Sequence, residues 1–245
     1  MKIITINLRK TSRLWVYAVI SFIVIVATIV GVIIDSINFD IGAVSAEPAI
    51  RRTVILDAGH GGEDSGAVGQ NGILEKDLNL EIAMMLGNLL AEQGIKVVYT
   101  RIDDRMLYLP EENIKGMRKI SDLRSRVKVS SENPGAIFVS IHMNSFGDSR
   151  YSGLQVYARN KDNASLALAE SIRQEVVNRV ETDNKRAVKS GESIYVLERN
   201  ENTAVLIECG FLSNEAECER LSQKEFQKEL SFSIVCGIIK YMEEN

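Results

Sequence analysis

The sequence has few of the residues that build cysteine-based sites. It contains three cysteines, and no two of them form a CxxC pair, which argues against a cysteine zinc site or a dithiol redox motif. It has only three prolines and two histidines, and we see neither an internal repeat nor a low-complexity tract. With 245 residues and 45% apolar content, it can form one sizeable folded core with an appendage.

The sequence also lacks a run of basic residues after residue 46. Residues 1–46 hold four of the 29 basic residues and two of the 33 acidic residues, so residues 47–245 carry a net charge of −6. Nucleic-acid binding needs a basic surface. The composition therefore argues against a nucleic-acid partner.

The only long apolar run lies near the N-terminus. Residues 14–34 contain no charge, and the four basic residues of the N-terminal region precede them. At about 1.5 Å per residue, 21 helical residues span about 30 Å, the thickness of a bilayer core. The positive-inside rule then places the N-terminus in the cytoplasm and the remaining chain outside. We therefore expect a cytoplasmic start and an anchor or signal segment within residues 1–46, followed by a linker at 47–52.

A cleaved signal peptide is the alternative to a membrane anchor. The sequence Val44-Ser45-Ala46 resembles a cleavage site. However, Ala46 lies 12 residues beyond the apolar run, and the run is longer than a usual signal core. The pattern favours the anchor, and both interpretations place the domain at 53–243 outside the cytoplasm.

Short apolar runs alternate with helical periodicity in the remaining chain. Strands are expected at 53–56, 96–100, 136–141, 154–158, 193–197 and 204–207, and helices at 77–93, around 127–131, at 169–180 and at 226–238. Residues 102–122 show no clear period. The alternation predicts a single α/β layered domain, with a largely parallel or mixed central sheet flanked by helices, after the N-terminal hydrophobic helix. Sites in such folds collect at the carboxyl ends of strands.

Both histidines follow predicted strands. His60 lies among glycines, and His142 follows the run 136–141. A lone histidine is more often a structural residue than a ligand, but two histidines in equivalent positions favour a shared metal-binding site. Glu75 could be a helix N-terminal carboxylate or a third ligand, because two imidazoles and one carboxylate form a known zinc set with one open position. Glu208 closes another predicted strand, where a carboxylate is exposed, paired or catalytic.

The glycine-rich loop at 57–72 could also suggest phosphate binding. Gly61 and Gly66 have the spacing of a phosphate-binding loop, but Ala67 and Val68 stand where lysine and a hydroxyl residue are needed. No G-x-G-x-x-G follows the first strand either. We therefore reject nucleotide binding.

Five separated motifs resemble those of the zinc-dependent N-acetylmuramoyl-L-alanine amidases of the Amidase_3 family. The motifs are residues 56–62 (LDAGHGG), 72–80 (GILEKDLNL), 99–101 (YTR), 138–144 (FVSIHMN) and 205–214 (VLIECGFLSN). They occur in family order and cover about residues 53–243. The resemblance implies hydrolysis of the amide between N-acetylmuramic acid and L-alanine, with peptidoglycan as substrate.

The resemblance also implies roles for individual residues. One zinc ion would be held by His60, Glu75 and His142, with Glu208 as the catalytic carboxylate. Asn144 and Arg126 match family positions and are expected to bind substrate or to support the ligands. The membrane is an expected partner through the N-terminal segment, and the sequence does not decide whether a protein activator is needed.

Two departures and two alternatives accompany this resemblance. Ala58 stands where many relatives have proline, and residues 102–122 look longer than the usual connection, so access to the cleft could differ. The short form, with Lys185 and Arg186 before the last motif, is similar to the germination-specific branch that acts on the spore cortex. The alternatives are a zinc peptidase acting on the stem peptide and a non-catalytic wall-binding module.

Overall fold

The structure, a computed structural model, describes residues 15–30, 53–69 and 72–245. The chain divides into two units, Met1–Ala49 and Ile50–Asn245. In the first, residues 15–30 form a helix with exposed side chains. No helix among the residues described has both the length and the apolar character needed to cross a membrane. The rest of the expected segment 14–34 and the expected linker 47–52 lie outside the described residues.

The second unit is built on a mixed sheet. Its strands, within the described residues, are β1 (Thr53–Ala58), β2 (Lys96–Tyr99), β3 (Ile137–Asn144), β4 (Gln155–Ala158), β5 (Lys189–Ser190) and β6 (Thr203–Phe211). Their order is β2-β1-β3-β6-β4-β5. The strands β2, β1, β3 and β6 are mutually parallel, and β4 pairs antiparallel with β6. The predicted α/β domain with a largely parallel or mixed sheet is confirmed.

Helices cover both faces of this sheet. They are α1 (Glu75–Glu92), α2 (Arg118–Ser131), α3 (Asn163–Arg179), α4 (Tyr195–Glu198), α5 (Glu215–Ser222) and α6 (Lys224–Glu244). The larger core contains the apolar stripes of α1, α3 and α6. The smaller core lies on the other face, under α2 and α4. The result is a three-layer arrangement in which the central strands are buried on both sides.

The period of two along the strands decides which side chains share a face. Val54 and Leu56 of β1 point into the larger core, whereas Ile55 points into the smaller one. By the same alternation, Asp57 of β1, His142 of β3 and Glu208 of β6 belong to the face that carries the smaller core. These three polar residues are therefore gathered on one face, near the carboxyl ends of three parallel strands.

Four segments differ from expectation. The strand predicted at 193–197 is wrong, because Tyr195–Glu198 is a single helical turn that buries Val196 and Leu197 in the smaller core. A short apolar run does not by itself distinguish a strand from a buried helical turn. Within 102–122, a 3₁₀ turn occupies Pro110–Glu112 and α2 already begins at Arg118. The edge strand β5 and the helix α5 were not predicted.

Candidate metal and catalytic site

Two histidines and one glutamate converge at the carboxyl end of the sheet. His60 follows β1, Glu75 begins α1 and His142 lies near the end of β3. One ligand atom from each residue lies within 4.8 Å of the others. The Glu75 Oε1 atom is 3.1 Å from His60 Nε2 and 2.9 Å from His142 Nδ1. This donor set can hold a metal ion, and its nitrogen and carboxylate donors are those that zinc accepts.

Glycine makes the close approach of these ligands possible. A Cβ atom at Gly59 would lie 2.2 Å from His142 Nε2, and one at Gly66 would lie 2.4 Å from Glu75 Oε2. Gly66 also has a φ of +66°, and His60 itself has a φ of +60°, a region that residues other than glycine rarely adopt. The glycine-rich sequence around His60 thus has a steric role in the site.

Backbone donors fix the orientation of the Glu75 carboxylate. Its Oε2 accepts a hydrogen bond of 2.7 Å from the Ala67 amide, and its Oε1 accepts one of 3.1 Å from the Met143 amide. Asn79, one turn further along α1, donates to Oε1 at 3.4 Å. Burial opposes ionisation of Glu75, but the hydrogen bonds and charges of the two histidines outweigh it and hold its pKa well below the ordinary value. Glu75 is therefore held as an anion, the form that binds a cation.

Asp64 orients His60 from the side opposite Glu75. The His60 Nδ1 atom lies 2.8 Å from Asp64 Oδ2, and the ammonium of Lys119 contacts the same oxygen. Burial lowers the pKa of His60, but its contacts with Asp64 and Glu75 raise it more, to about 9 without a metal ion. A carboxylate in this position fixes the ring and leaves the other nitrogen for a ligand role. Asp64 was not among the predicted site residues, because its only local signal in the sequence is its spacing of four residues from His60.

Glu208 lies beside the cluster on the neighbouring strand. Its Cα pairs in register with that of His142 on β3 and with that of Gln155 on β4. Among the residues described, no hydrogen-bond partner reaches its buried Oε2 atom. Burial raises the pKa of Glu208, the two histidines lower it and Glu75 raises it, with a result of about 7. A carboxyl group with a pKa near neutrality and a free oxygen is suited to proton transfer.

Arg126 is buried beneath the site. Its guanidinium donates to Asp57 Oδ1 and to Asp122 Oδ2, each at 2.7 Å, and to the carbonyl oxygen of His60 at 2.6 Å. With 2% of its surface exposed, it cannot reach a substrate in this structure. Asp57 is also buried and hydrogen-bonded, and although burial opposes its ionisation, Arg126 and two hydroxyl groups keep its pKa below the ordinary value. This network supports the backbone that presents His60.

Asn144 lies at the end of β3, on the rim of the site. Its carbonyl oxygen accepts a hydrogen bond of 2.8 Å from the Leu212 amide, and its Cα pairs with that of Phe211. Its side chain makes no hydrogen bond to the part of the chain that the structure describes and is half-buried. Asn144 is thus closer to a substrate-accessible position than Arg126.

Residues 102–122 dock against the loop that carries His60. Asp104 accepts hydrogen bonds from the Gly62 amide at 2.6 Å and from Lys76 Nζ at 2.7 Å. Arg101, just before this segment, donates to the carbonyl oxygens of Gly59 and Lys76. The segment therefore forms one wall beside the metal ligands.

Comparison with known proteins identifies relatives of this domain. The model of the Amidase_3 family, described as N-acetylmuramoyl-L-alanine amidase, matches residues 54–240. A germination-specific N-acetylmuramoyl-L-alanine amidase of Bacillus subtilis is 36% identical over 199 residues, covering 80% of this chain and 82% of the relative.

Solved structures give the same result. The CwlD amidase of Clostridioides difficile, in complex with the GerS lipoprotein, is 39% identical with a TM-score of 0.76, covering 79% of this chain and all of that chain. The catalytic domain of the amidase CwlV from Bacillus (Paenibacillus) polymyxa is 33% identical with a TM-score of 0.67, covering 79% of this chain and 99% of that one. Since the family model spans most of the sequence and the matched structures share its fold, the chain belongs to the Amidase_3 family of N-acetylmuramoyl-L-alanine amidases.

Proposed function

We propose that this domain hydrolyses the amide bond between N-acetylmuramic acid and L-alanine in peptidoglycan, using one zinc ion held by His60, Glu75 and His142. The observation that carries this proposal is the buried, unpartnered oxygen of Glu208 beside a cluster of three metal-binding side chains. Family membership supports the choice of bond.

The donor set fits zinc chemically. Two imidazoles and a carboxylate form a known catalytic zinc set that leaves a position for water or substrate. Bound zinc would polarise the amide carbonyl and lower the pKa of water. The anionic state of Glu75 and the orientation of His60 by Asp64 prepare two of the ligands for a cation.

Glu208 supplies the proton transfers. Its free Oε2 takes a proton from the water that attacks the amide carbonyl carbon, and the same oxygen then delivers that proton to the departing nitrogen of L-alanine. A single carboxyl group can serve both steps because its Oε2 has no hydrogen-bond partner among the described residues and can first accept and then return the proton. Asn144 is proposed to contact the substrate from the rim, and Arg126 to hold the His60 backbone in place.

Product analysis tests the bond that is cut. Mass spectrometry of digested peptidoglycan should show intact stem peptides with a free L-alanine amino group, and a chelator should abolish their release. Shortened stems still attached to muramic acid would instead indicate a zinc peptidase. Binding without product, even with added zinc, would indicate a non-catalytic wall-binding module.

The same relatives suggest a setting for this activity. The similarity to a germination-specific amidase supports a role on spore-cortex peptidoglycan, and the CwlD–GerS complex makes a lipoprotein a candidate partner. Peptidoglycan lies outside the cytoplasmic membrane, so the domain acts there. We favour a retained N-terminal anchor, and a mature chain beginning at Glu47 on N-terminal sequencing would instead establish cleavage.

A further inference from the structure

A cavity of about 580 Å³ opens between the loop at 151–153 and the loop at 180–186. Its lining includes two consecutive cationic residues, Lys185 and Arg186, and a third, Arg220. The Arg220 guanidinium is already neutralised, since it lies 3.3 Å from Glu181 and 3.4 Å from Glu217. Positive charge that is free to meet a ligand therefore comes from residues 185 and 186.

The Arg186 guanidinium is held in a fixed position without being neutralised. Its Cζ atom lies 5.0 Å from the centre of the Phe211 ring and 5.5 Å from that of Tyr151. Its Nε donates to the Ser152 carbonyl oxygen at 3.2 Å, which leaves the terminal amino groups without hydrogen bonds to the residues that the structure describes. No carboxylate in the described ranges lies within ion-pair distance of it. Stacking on aromatic rings preorganises the planar guanidinium for bidentate hydrogen bonding to a carboxylate.

This guanidinium lies at the carboxyl end of β6, where Phe211 is the last residue of the strand and pairs with Asn144 of β3. Phe211, on which it stacks, follows Glu208 by three residues on β6. Tyr157 of β4 interacts electrostatically with both charges: burial and the Glu208 carboxylate raise its pKa, and Arg186 opposes that rise. The stacked arginine and the proposed proton-transfer group thus both act electrostatically on the same tyrosine.

The two sides of the scissile amide differ in charge. On one side is N-acetylmuramic acid, a neutral sugar once its lactyl group is in the amide. On the other side is L-alanine, followed by peptide residues that carry carboxylates. The guanidinium of an arginine without an ion pair can form two charge-assisted hydrogen bonds with a carboxylate, and the sugar side offers no carboxylate.

We propose that Arg186 binds the first free carboxylate that follows L-alanine in the stem peptide. The inference rests on the proposed function. It places the stem peptide along the loops at 151–153 and 180–186, and the sugar on the opposite side of the metal ligands. Arg186 then selects substrates in which that carboxylate is free over those in which it is an amide.

Two muramoyl peptides test this assignment, one with that carboxylate free and one with it amidated. For the zinc-loaded full chain, Arg186→Gln should lower kcat/KM on the free-carboxylate substrate by about tenfold or more, the usual loss for a hydrogen bond to a charged group. On the amidated substrate it should change kcat/KM less than about twofold. Arg186→Lys should recover part of the difference. Lys96→Gln, which neutralises an exposed cation at the amino end of β2, away from the cavity, is the control and should preserve the wild-type preference.

The outcomes separate this inference from the proposed function. If Arg186→Gln lowers kcat/KM equally on both substrates, or on neither, carboxylate binding by Arg186 is refuted. Cleavage by the wild type still upholds amidase activity in that case. If the wild type cleaves neither substrate, the proposed function fails. In that case, isothermal titration calorimetry decides the inference. It measures binding of the same two substrates to the zinc-loaded Glu208→Gln variant and to the zinc-loaded double variant that also carries Arg186→Gln. A preference for the free carboxylate that disappears with Arg186→Gln supports it, and an unchanged preference overturns it.

Discussion

Glu208→Gln should make the metal-free protein more stable at high pH while removing its activity. Burial and the Glu75 carboxylate, opposed by the two histidines, raise the pKa of Glu208 from 4.5 to about 7. At about 1.4 kcal/mol per pKa unit, this shift corresponds to about 3 kcal/mol of unfavourable free energy for the charged carboxylate in the folded state. Glutamine has a similar shape but never carries the charge.

The stability difference should depend on pH in one direction. Below pH 4.5 the carboxyl is protonated in both the folded and the unfolded chain, and the two proteins should be equally stable. As the pH rises towards 7, the unfolded chain loses the proton first, so the wild type loses stability. Above pH 7 the variant should exceed the wild type by about 3 kcal/mol. Bound zinc should reduce this difference, because a nearby cation lowers the pKa of a carboxyl group.

Urea unfolding followed by circular dichroism, with a chelator present and at several pH values from 4 to 8.5, measures this difference. Glu201→Gln is the control, since it changes an exposed carboxylate outside the site. With zinc restored, Glu208→Gln should lower turnover by about 10²–10⁴-fold while keeping the metal. A stability difference that stays constant with pH would refute the buried, unpartnered environment assigned to Glu208, and near-normal turnover would refute its role as base.

Three further predictions concern the metal ligands and their support. His60→Ala and His142→Ala should each abolish stoichiometric zinc, and full occupancy in either variant by metal analysis would contradict the ligand assignment. Asp64→Asn should weaken zinc affinity by about 10–100-fold in a competition titration with a chromophoric chelator, because it removes the carboxylate that orients His60; unchanged affinity would mean that the contact is incidental. Arg126→Met should lower the free energy of unfolding by about 3–5 kcal/mol in urea, because the Asp57 carboxylate is left buried without its cationic partner; a loss below about 1 kcal/mol would contradict the buried ion pair.

Local patterns in the sequence predict much of the fold. The period of two and the helical period locate most of the strands and long helices, because each pattern reflects which side of one element is buried. The pattern fails where an element is too short to show a period, as in Tyr195–Glu198, Lys189–Ser190 and Glu215–Ser222. In these segments packing against the rest of the domain decides the backbone conformation.

The four proposed site residues illustrate what the sequence alone determined. His60, Glu75, His142 and Glu208 were selected from their positions after predicted strands and around a glycine-rich loop, together with a resemblance in five motifs. The structure brings ligand atoms of the first three within 4.8 Å of one another and pairs His142 in register with Glu208, and their roles stay predictions. Short motifs identify such residues because the chemistry of a ligand or base limits the side chain at each position.

Only the tertiary structure decided how the site is supported and bounded. Arg126 donates to Asp57 across 69 positions of sequence, and Arg186 stacks on Tyr151 and Phe211 from a separate loop. No local period encodes such contacts, because they depend on strand order and on the packing of loops from distant parts of the chain. The sequence therefore determined the type of domain and its candidate reactive groups, whereas packing decided which charges are paired, which are buried, and which stay free to meet a substrate.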